Sequence, residues 1–293
     1  MKIVSPVHIG CDEVYEPTSF VVDETAKPDP EMIVFDPIEF ISGLPEEERS
    51  RFSEICKKGS IVSILELYKF LKGKKAVGKH VALCSGFVSH YKKVLGLQNN
   101  EKEIIQNLNK FEVKRTAFRP YDERPYIPGS AIKGALRTAY LNALSKTGKG
   151  VGPDDKKLQA SLLEYDPGKI ETDPFRLVKI SDFQPVGKTG TRIVYAINKK
   201  KKISDREARG PYQILETLEQ GVVFTGEITV EQPVSDRYIK QPVDLKNLLE
   251  ACSNFYFSEN SREFMELDKV NIKGIKTERQ GNEIPIRHAF NLA

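Results

Sequence analysis

The chain has 293 residues, 39% apolar and 29% charged, with a formal net charge of +4, no tryptophan and only four cysteines and four histidines. That length buries a large core, as one big domain or two lobes, while the net charge is too small to argue a nucleic-acid partner unless it is concentrated. Cys11, Cys56, Cys84 and Cys252 are scattered and make no zinc spacing with His8, His80, His90 and His288; with no signal peptide and no long apolar run, the expectation is a cytosolic protein with no cofactor and no membrane contact.

In chain order, residues 2–9 read as a strand stopped by Gly10, and 19–23 and 32–35 as two more around a turn-rich 27–30. His8 fits a half-buried strand histidine at least as well as the RNA contact that the resemblance set out below implies for it. Asp12 reads as a turn residue. Residues 37–110 look like a helical insertion. Its expected pieces are a helix opened by Pro37, one from Pro45 to Cys56 with acids in its first turn, a core helix at Ile61–Leu71, and others at 79–94 and 101–110. Lys72, Lys74, Lys75 and Lys79 read as a solvated helix end; the insertion carries no identifiable chemistry, and the resemblance set out below implies that it faces a neighbouring subunit.

Residues 111–118 return to strand alternation. From Lys110 to Arg137 there are seven basic residues (Lys110, Lys114, Arg115, Arg119, Arg124, Lys133 and Arg137) against three acids, interleaved with Phe111, Phe118, Tyr121 and Tyr126. Such a mixture suits single-stranded RNA, with charge for the backbone and flat faces for bases; a basic strand pair on the surface is the plainer alternative. Pro128 and Gly129 read as a turn and Ser130 as the N-cap of a helix whose apolar stripe is Ile132, Leu136, Tyr140 and Leu144. Lys133 and Arg137 share another face near the helix start, where free N–H groups suit a phosphate. Gly134 would let another backbone approach. The spacing of Gly129 and Gly134 is not a nucleotide-binding loop, because Ala135 and Leu136 stand where Lys and Ser or Thr are needed.

Residues 145–172 are polar, broken by Gly and Pro, and read as a connection. Residues 173–183 read as a loop and strand, with Asp173 and Asp182 too dispersed for a metal pair and Arg176 and Lys179 of undecided direction. A second basic segment, 188–209, holds Arg192 at a strand start and the run Lys199–Lys202, which reads locally as a solvated turn; the resemblance set out below implies instead a projecting arm along RNA. A short helix at 212–218, one alternating strand at 222–230, and helices at 243–253 and 261–267 complete the chain.

The stretch from Pro125 to Arg137 resembles the "IPGSSLKGxLR" signature of the RAMP superfamily of CRISPR-associated RNA-binding proteins. Residues 5–10 are similar to that family's opening strand, and Asp173–Phe183 to its "DPFRxLxxSD" segment, in the same order. Among subfamilies the likeness is greatest to the Csm-type (type III-A) effector subunit that caps the backbone filament at the guide RNA 3′ end. The resemblance implies an α+β, ferredoxin-like (RRM-type) fold with a helical insertion at about 37–110 and a second α/β lobe. The lobes are expected at 1–144 and 173–293, joined by 145–172. It implies a non-catalytic subunit that holds the 3′ part of the guide crRNA and supports its maturation in antiviral defence. Its partners would be crRNA and other Csm-type subunits, with target RNA and a recruited trimming nuclease as open additions. The expected RNA contacts are His8, Arg115, Arg119, Arg124, Gly129, Ser130, Lys133, Arg137 and Arg192. A RAMP-type endoribonuclease is the alternative, with His8 and Asp12 as the residues it would need; a scaffold touching only proteins is a third. The family's C-terminal glycine-rich loop has no counterpart beyond Gly274 and Gly281.

Overall fold

The computed structural model describes residues 1–270 apart from Asn99, Lys149, Lys199, 201–209 and Asp236. Gly274, Gly281 and much of the basic run after Asn198, where a projecting arm was expected, lie outside the described residues. The chain opens with β1 (Gly10–Val14), β2 (Phe20–Asp23) and β3 (Glu31–Val34), then α1 (Pro37–Ser42), α2 (Glu46–Lys57) and α3 (Ile61–Leu71). Next come β4 (Lys79–Leu83), α4 (Ser85–Leu95), α5 (Glu101–Lys110), β5 (Val113–Thr116), α6 (Gly129–Ser145) and α7 (Asp155–Leu163). Two 3₁₀ turns lead to β6 (Val178–Ile180) and β7 (Gln184–Pro185), followed by β8 (Thr191–Ala196), β9 (Gln213–Leu218), β10 (Phe224–Thr225), β11 (Ile228–Val230) and α8 (Leu245–Val270).

Seven strands form one mixed sheet in the order β1-β5-β9-β8-β4-β3-β2, in which β4 runs parallel to β8 and β5 parallel to β9. Strands from both expected lobes therefore share one sheet. Two small ribbons, β10 with β7 and β11 with β6, stand beside it. One core fills the space between the sheet and α3, α4 and α5, built on Phe20, Met32, Tyr68, Val81, Phe87, Tyr91, Phe111 and Ile193. The stripe expected on α6 packs as read, Leu136 buried and Ile132, Tyr140 and Leu144 beside it, against Phe175, Val178 and Leu248.

Several local expectations are corrected. Residues 2–9 form only isolated bridges, Lys2 to Val223 and Val7 to Leu218, because Pro6 has no N–H to give a ladder; Gly10 starts β1 instead of stopping a strand. Asp12 sits in β1 at an irregularity in its pairing with β5, with φ +58°, a conformation Asp tolerates better than most residues. Lys79–Leu83 is a sheet strand, not a helix start: Val81 and Leu83 point into the core at period two, so 37–110 is not helical throughout. Residues 213–218 are β9, not a helix. The expected connection contains α7, capped by Asp154, whose carboxylate accepts from Lys157 N at 2.8 Å. The long strand at 222–230 is two short ones, and the last two helices are one continuous α8.

Candidate nucleic-acid interface

Two segments distant in sequence build the start of α6. Pro128 stands at the cap position with φ −57° and ψ 134° and has no side-chain acceptor to offer. The N–H of Gly129 is bound instead by Oδ1 of Asp182 at 2.8 Å. Ser130, expected as the N-cap, is thus the second helical residue and is exposed. A carboxylate at the positive end of a helix is favourable, and here it stands where a phosphate was expected. Gly129 itself is buried: a Cβ there would lie 2.4 Å from the carbonyl oxygen of Ile180 and 2.8 Å from that of Ser181. Gly134, expected to admit another backbone, has nothing among the described residues within 4 Å of where its Cβ would be.

Further along α6, Arg137 Nη1 donates to both carboxylate oxygens of Asp173 at 3.0 and 2.9 Å. Its guanidinium lies over Phe175 and Tyr165, 5.0 and 5.7 Å from the ring centres. Asp173 also accepts from Phe175 N at 2.9 Å, holding the turn before β6. The two acids dismissed as a metal pair therefore stitch segment 173–182 onto the first turns of α6. Lys133 sits between these two stitches. Burial first, then the charge of Lys179 on β6, hold its ammonium below the usual lysine range; Arg137 adds to the repulsion and Asp173 opposes it. Among the described residues Lys133 has no carboxylate at ion-pairing distance. Lys179 meets Glu231 at 3.7 Å with both side chains about half exposed, a pairing that neutralises little in water.

The other expected contacts do not form a row of free cations. Arg124 donates to the carbonyls of Gly187 at 2.6 Å and Pro185 at 3.3 Å, tying the approach to α6 onto the end of β7. Arg119 pairs with Asp122 and lies over Tyr121. Arg115 pairs with Glu123 and lies over the rings of Tyr15, at 4.7 Å, and Phe118, at 3.4 Å. Arg192 meets Asp29 at 2.7 Å and Glu219 at 3.3 Å. Two of the three acids in the first basic segment are therefore already matched to its arginines. His8 is 4% exposed and lies just before β1, with Nδ1 2.8 Å from the carbonyl oxygen of Glu216, so it is a buried histidine with a backbone partner. It lines a cleft of about 570 Å³ at the β1 edge with Asp12, Glu13, Glu112 and Lys114. Among the described residues no group of three or more His, Cys, Asp or Glu side chains is placed to hold a metal ion. Nor is any described helix long and apolar enough to cross a membrane.

Beneath Arg115 and His8 lies a polar group that sequence reasoning missed. The fully buried carboxylate of Glu216 accepts from Lys79 Nζ at 2.9 Å, Thr191 Oγ1 at 2.7 Å and the N–H of Thr116 at 3.2 Å. Lys79 Nζ also donates to Tyr15 Oη at 3.2 Å, and burial, then the charge of Glu216, raises the Tyr15 hydroxyl pKa strongly. Lys79, expected in a solvated cluster, is thus a structural partner. The only signal in the sequence was a lone Glu among Ile214, Leu215 and Leu218.

The RAMP superfamily model matches residues 1–285. A Methanocaldococcus jannaschii protein named CRISPR system Cms protein Csm5 is 28% identical over 193 residues, 62% of this chain and 41% of that protein. A Streptococcus thermophilus protein of the same name is 35% identical over 92 residues, 29% of this chain and 24% of its own length. These matches thus span less than half the length of either relative. Among solved structures, the T. onnurineus Csm5 crystal structure has a TM-score of 0.60 at 17% identity, covering 92% of this chain and 82% of that one. A chain of a Csm–crRNA–target RNA ternary complex from a type III-A CRISPR-Cas system has a TM-score of 0.57 at 17% identity, covering 90% and 76%.

Proposed function

The chain belongs to the RAMP superfamily, and on that premise we propose that it is a non-catalytic RNA-binding subunit of a type III-A CRISPR (Csm) effector complex. In this reading it holds the 3′ part of the guide crRNA and caps the filament, beside sibling subunits and within reach of target RNA and a trimming nuclease. The ferredoxin-like (RRM-type) description of its mixed sheet and helical layer belongs to the same proposal.

The observation that carries the reading is Lys133, a part-buried cation at the start of α6 with no carboxylate at ion-pairing distance among the described residues, with the charge of Lys179 on β6 opposing its own. Their mutual repulsion is relieved by an anion, and the RNA backbone supplies one at every nucleotide. Arg137 and Gly129 hold this surface in place; Arg115, Arg119, Arg124 and Arg192 would have to share their present partners with RNA.

The test is binding of a labelled guide-repeat RNA to the purified chain at two salt concentrations. Lys133→Ala and Lys179→Ala should each weaken binding and flatten the salt dependence by about 0.7 of a log–log unit per lost phosphate contact, the single-strand value. Unchanged affinity and slope in both variants would leave α6 a purely structural helix. The pH dependence has a definite sign. The charged ammonium is the binding form, so affinity falls as pH rises through the depressed Lys133 pKa. Lys133→Arg should abolish that fall, since arginine stays charged. The alternative of a RAMP-type endoribonuclease is read in the same tubes: cutting of the RNA by the wild type that disappears in His8→Ala would establish it.

A further inference from the structure

Between α4 and the end of the β8–β9 pair where β8 stops and β9 begins lies a shallow cleft of about 380 Å³, lined by Gly86, Ser89, His90, Lys93, Tyr195 and Tyr212. His90 is held between two phenols, its Nδ1 2.9 Å from Tyr195 Oη and its Nε2 3.4 Å from Tyr212 Oη. The two tyrosine rings are 5.5 Å apart, and Phe111 backs the imidazole edge-on at 4.8 Å. Burial first, and then the charge of Lys93, hold the His90 pKa below its usual value. The neutral ring donates to one phenol and accepts from the other, which fixes all three rings in place. A Cβ on Gly86 would come within 3.9 Å of the Tyr195 ring, so glycine leaves the space beside it open. Among the described residues no carboxylate lines the cleft, and the cation that does, Lys93, is exposed.

Tyr195 and Tyr212 are neighbours because β8 pairs with β9, Tyr195 opposite Ile214. The sequence between them carries Lys199–Lys202, Arg206 and Arg209, six cations against the two acids Asp205 and Glu207. A preorganised set of flat aromatic faces beside a cation, without a carboxylate, has the chemistry that takes an unpaired base and its phosphate.

We propose that this cleft is a nucleobase-binding site, in which an unpaired base of single-stranded RNA stacks on the Tyr195–Tyr212–His90 cluster with a flanking phosphate at Lys93. The inference rests on the RNA-binding reading above and adds base contacts to what Lys133 and Lys179 supply to the backbone.

The purified full chain is titrated with a fluorescein-labelled single-stranded oligouridylate and with an abasic oligomer of the same length. The wild type should prefer the first by about tenfold, the scale of one stacked base. Tyr212→Ala should erase that preference and leave the affinity for the abasic oligomer intact, which also shows that the variant is folded. Lys93→Glu, a change on an exposed side chain, should weaken both oligomers by about threefold or more, the direction expected for a lost phosphate contact. Lys133→Ala should weaken both and spare the preference. Equal wild-type binding of the two oligomers would overturn the cleft while leaving the Lys133 reading standing. So would a preference that survives Tyr212→Ala, or a Lys93→Glu variant of wild-type affinity. A wild type that binds neither oligomer overturns both readings.

Discussion

Glu216→Ala lowers the unfolding free energy by about 3–5 kcal/mol, the usual consequence of removing one partner from a buried charged pair. The substitution strips Lys79 Nζ, Thr191 Oγ1 and the Thr116 N–H of an acceptor at once. The Thr116 N–H matters most for the fold. Parallel pairing of β5 with β9 is recorded only at Val113 and Lys114, and where β5 parts from β9 the Glu216 side chain takes the next ladder position. Urea unfolding followed by far-UV circular dichroism should show the midpoint falling with an unchanged slope. Glu216→Gln keeps an acceptor oxygen and should cost less, and Lys79→Met added to Glu216→Ala should recover part of the loss by removing the stranded ammonium. A Glu216→Ala protein with wild-type stability would mean that the group is bridged by water and contributes nothing.

The same residue explains why part of the fold was hard to read. Helices with long apolar stripes, such as α3 and α6, were legible from the 3.6-residue period, in α3 with a capping Ser60 as well. In β9 a buried charge interrupts the apolar alternation; Ile214, Leu215 and Leu218 then mimic one helical face, and only Lys79, 137 residues away, makes the strand intelligible. β4 was hidden for the same reason, since Lys79 looked like one more lysine of a solvated run. Sheet order is a property of distant pairs, and no local period reports that 79–83 lies between 31–34 and 191–196.

The candidate site was legible in part. The motif at 129–137 and the one at 173–183 were both visible in sequence, and their residue types pointed to a capped helix with a cationic face. That each motif supplies what the other lacks was not visible. Asp182 caps a helix whose own cap position is proline, and Asp173 holds Arg137. Four arginines that read as an open basic track meet carboxylates or carbonyls brought near by turns, so charge counts overstated the free cation available. Lys179 was left undecided because an edge strand of three residues carries too little alternation to orient it.

Gly129→Ala should destabilise the protein by about 2–4 kcal/mol, combining the strain of overpacking with partial loss of a helix cap. The added methyl group would stand 2.4 Å from the carbonyl oxygen of Ile180, an atom fixed in β6, which pairs through Ile180 with Ile228 of β11. Backbone on one side or the other has to move, and the Asp182 contact at 2.8 Å stretches with it. Because Lys133 rides on α6 and Lys179 on β6, the same movement separates the two ammonium groups. The variant should therefore lose RNA affinity at temperatures where it is still folded, with a salt slope shallower than the wild type's. Asp182→Ala is the control: it removes the cap without the methyl group, costs about 1 kcal/mol, and leaves the α6–β6 spacing and the RNA affinity nearly intact. Equal losses of affinity in the two variants would tie RNA binding to the helix cap and not to the spacing of the lysines.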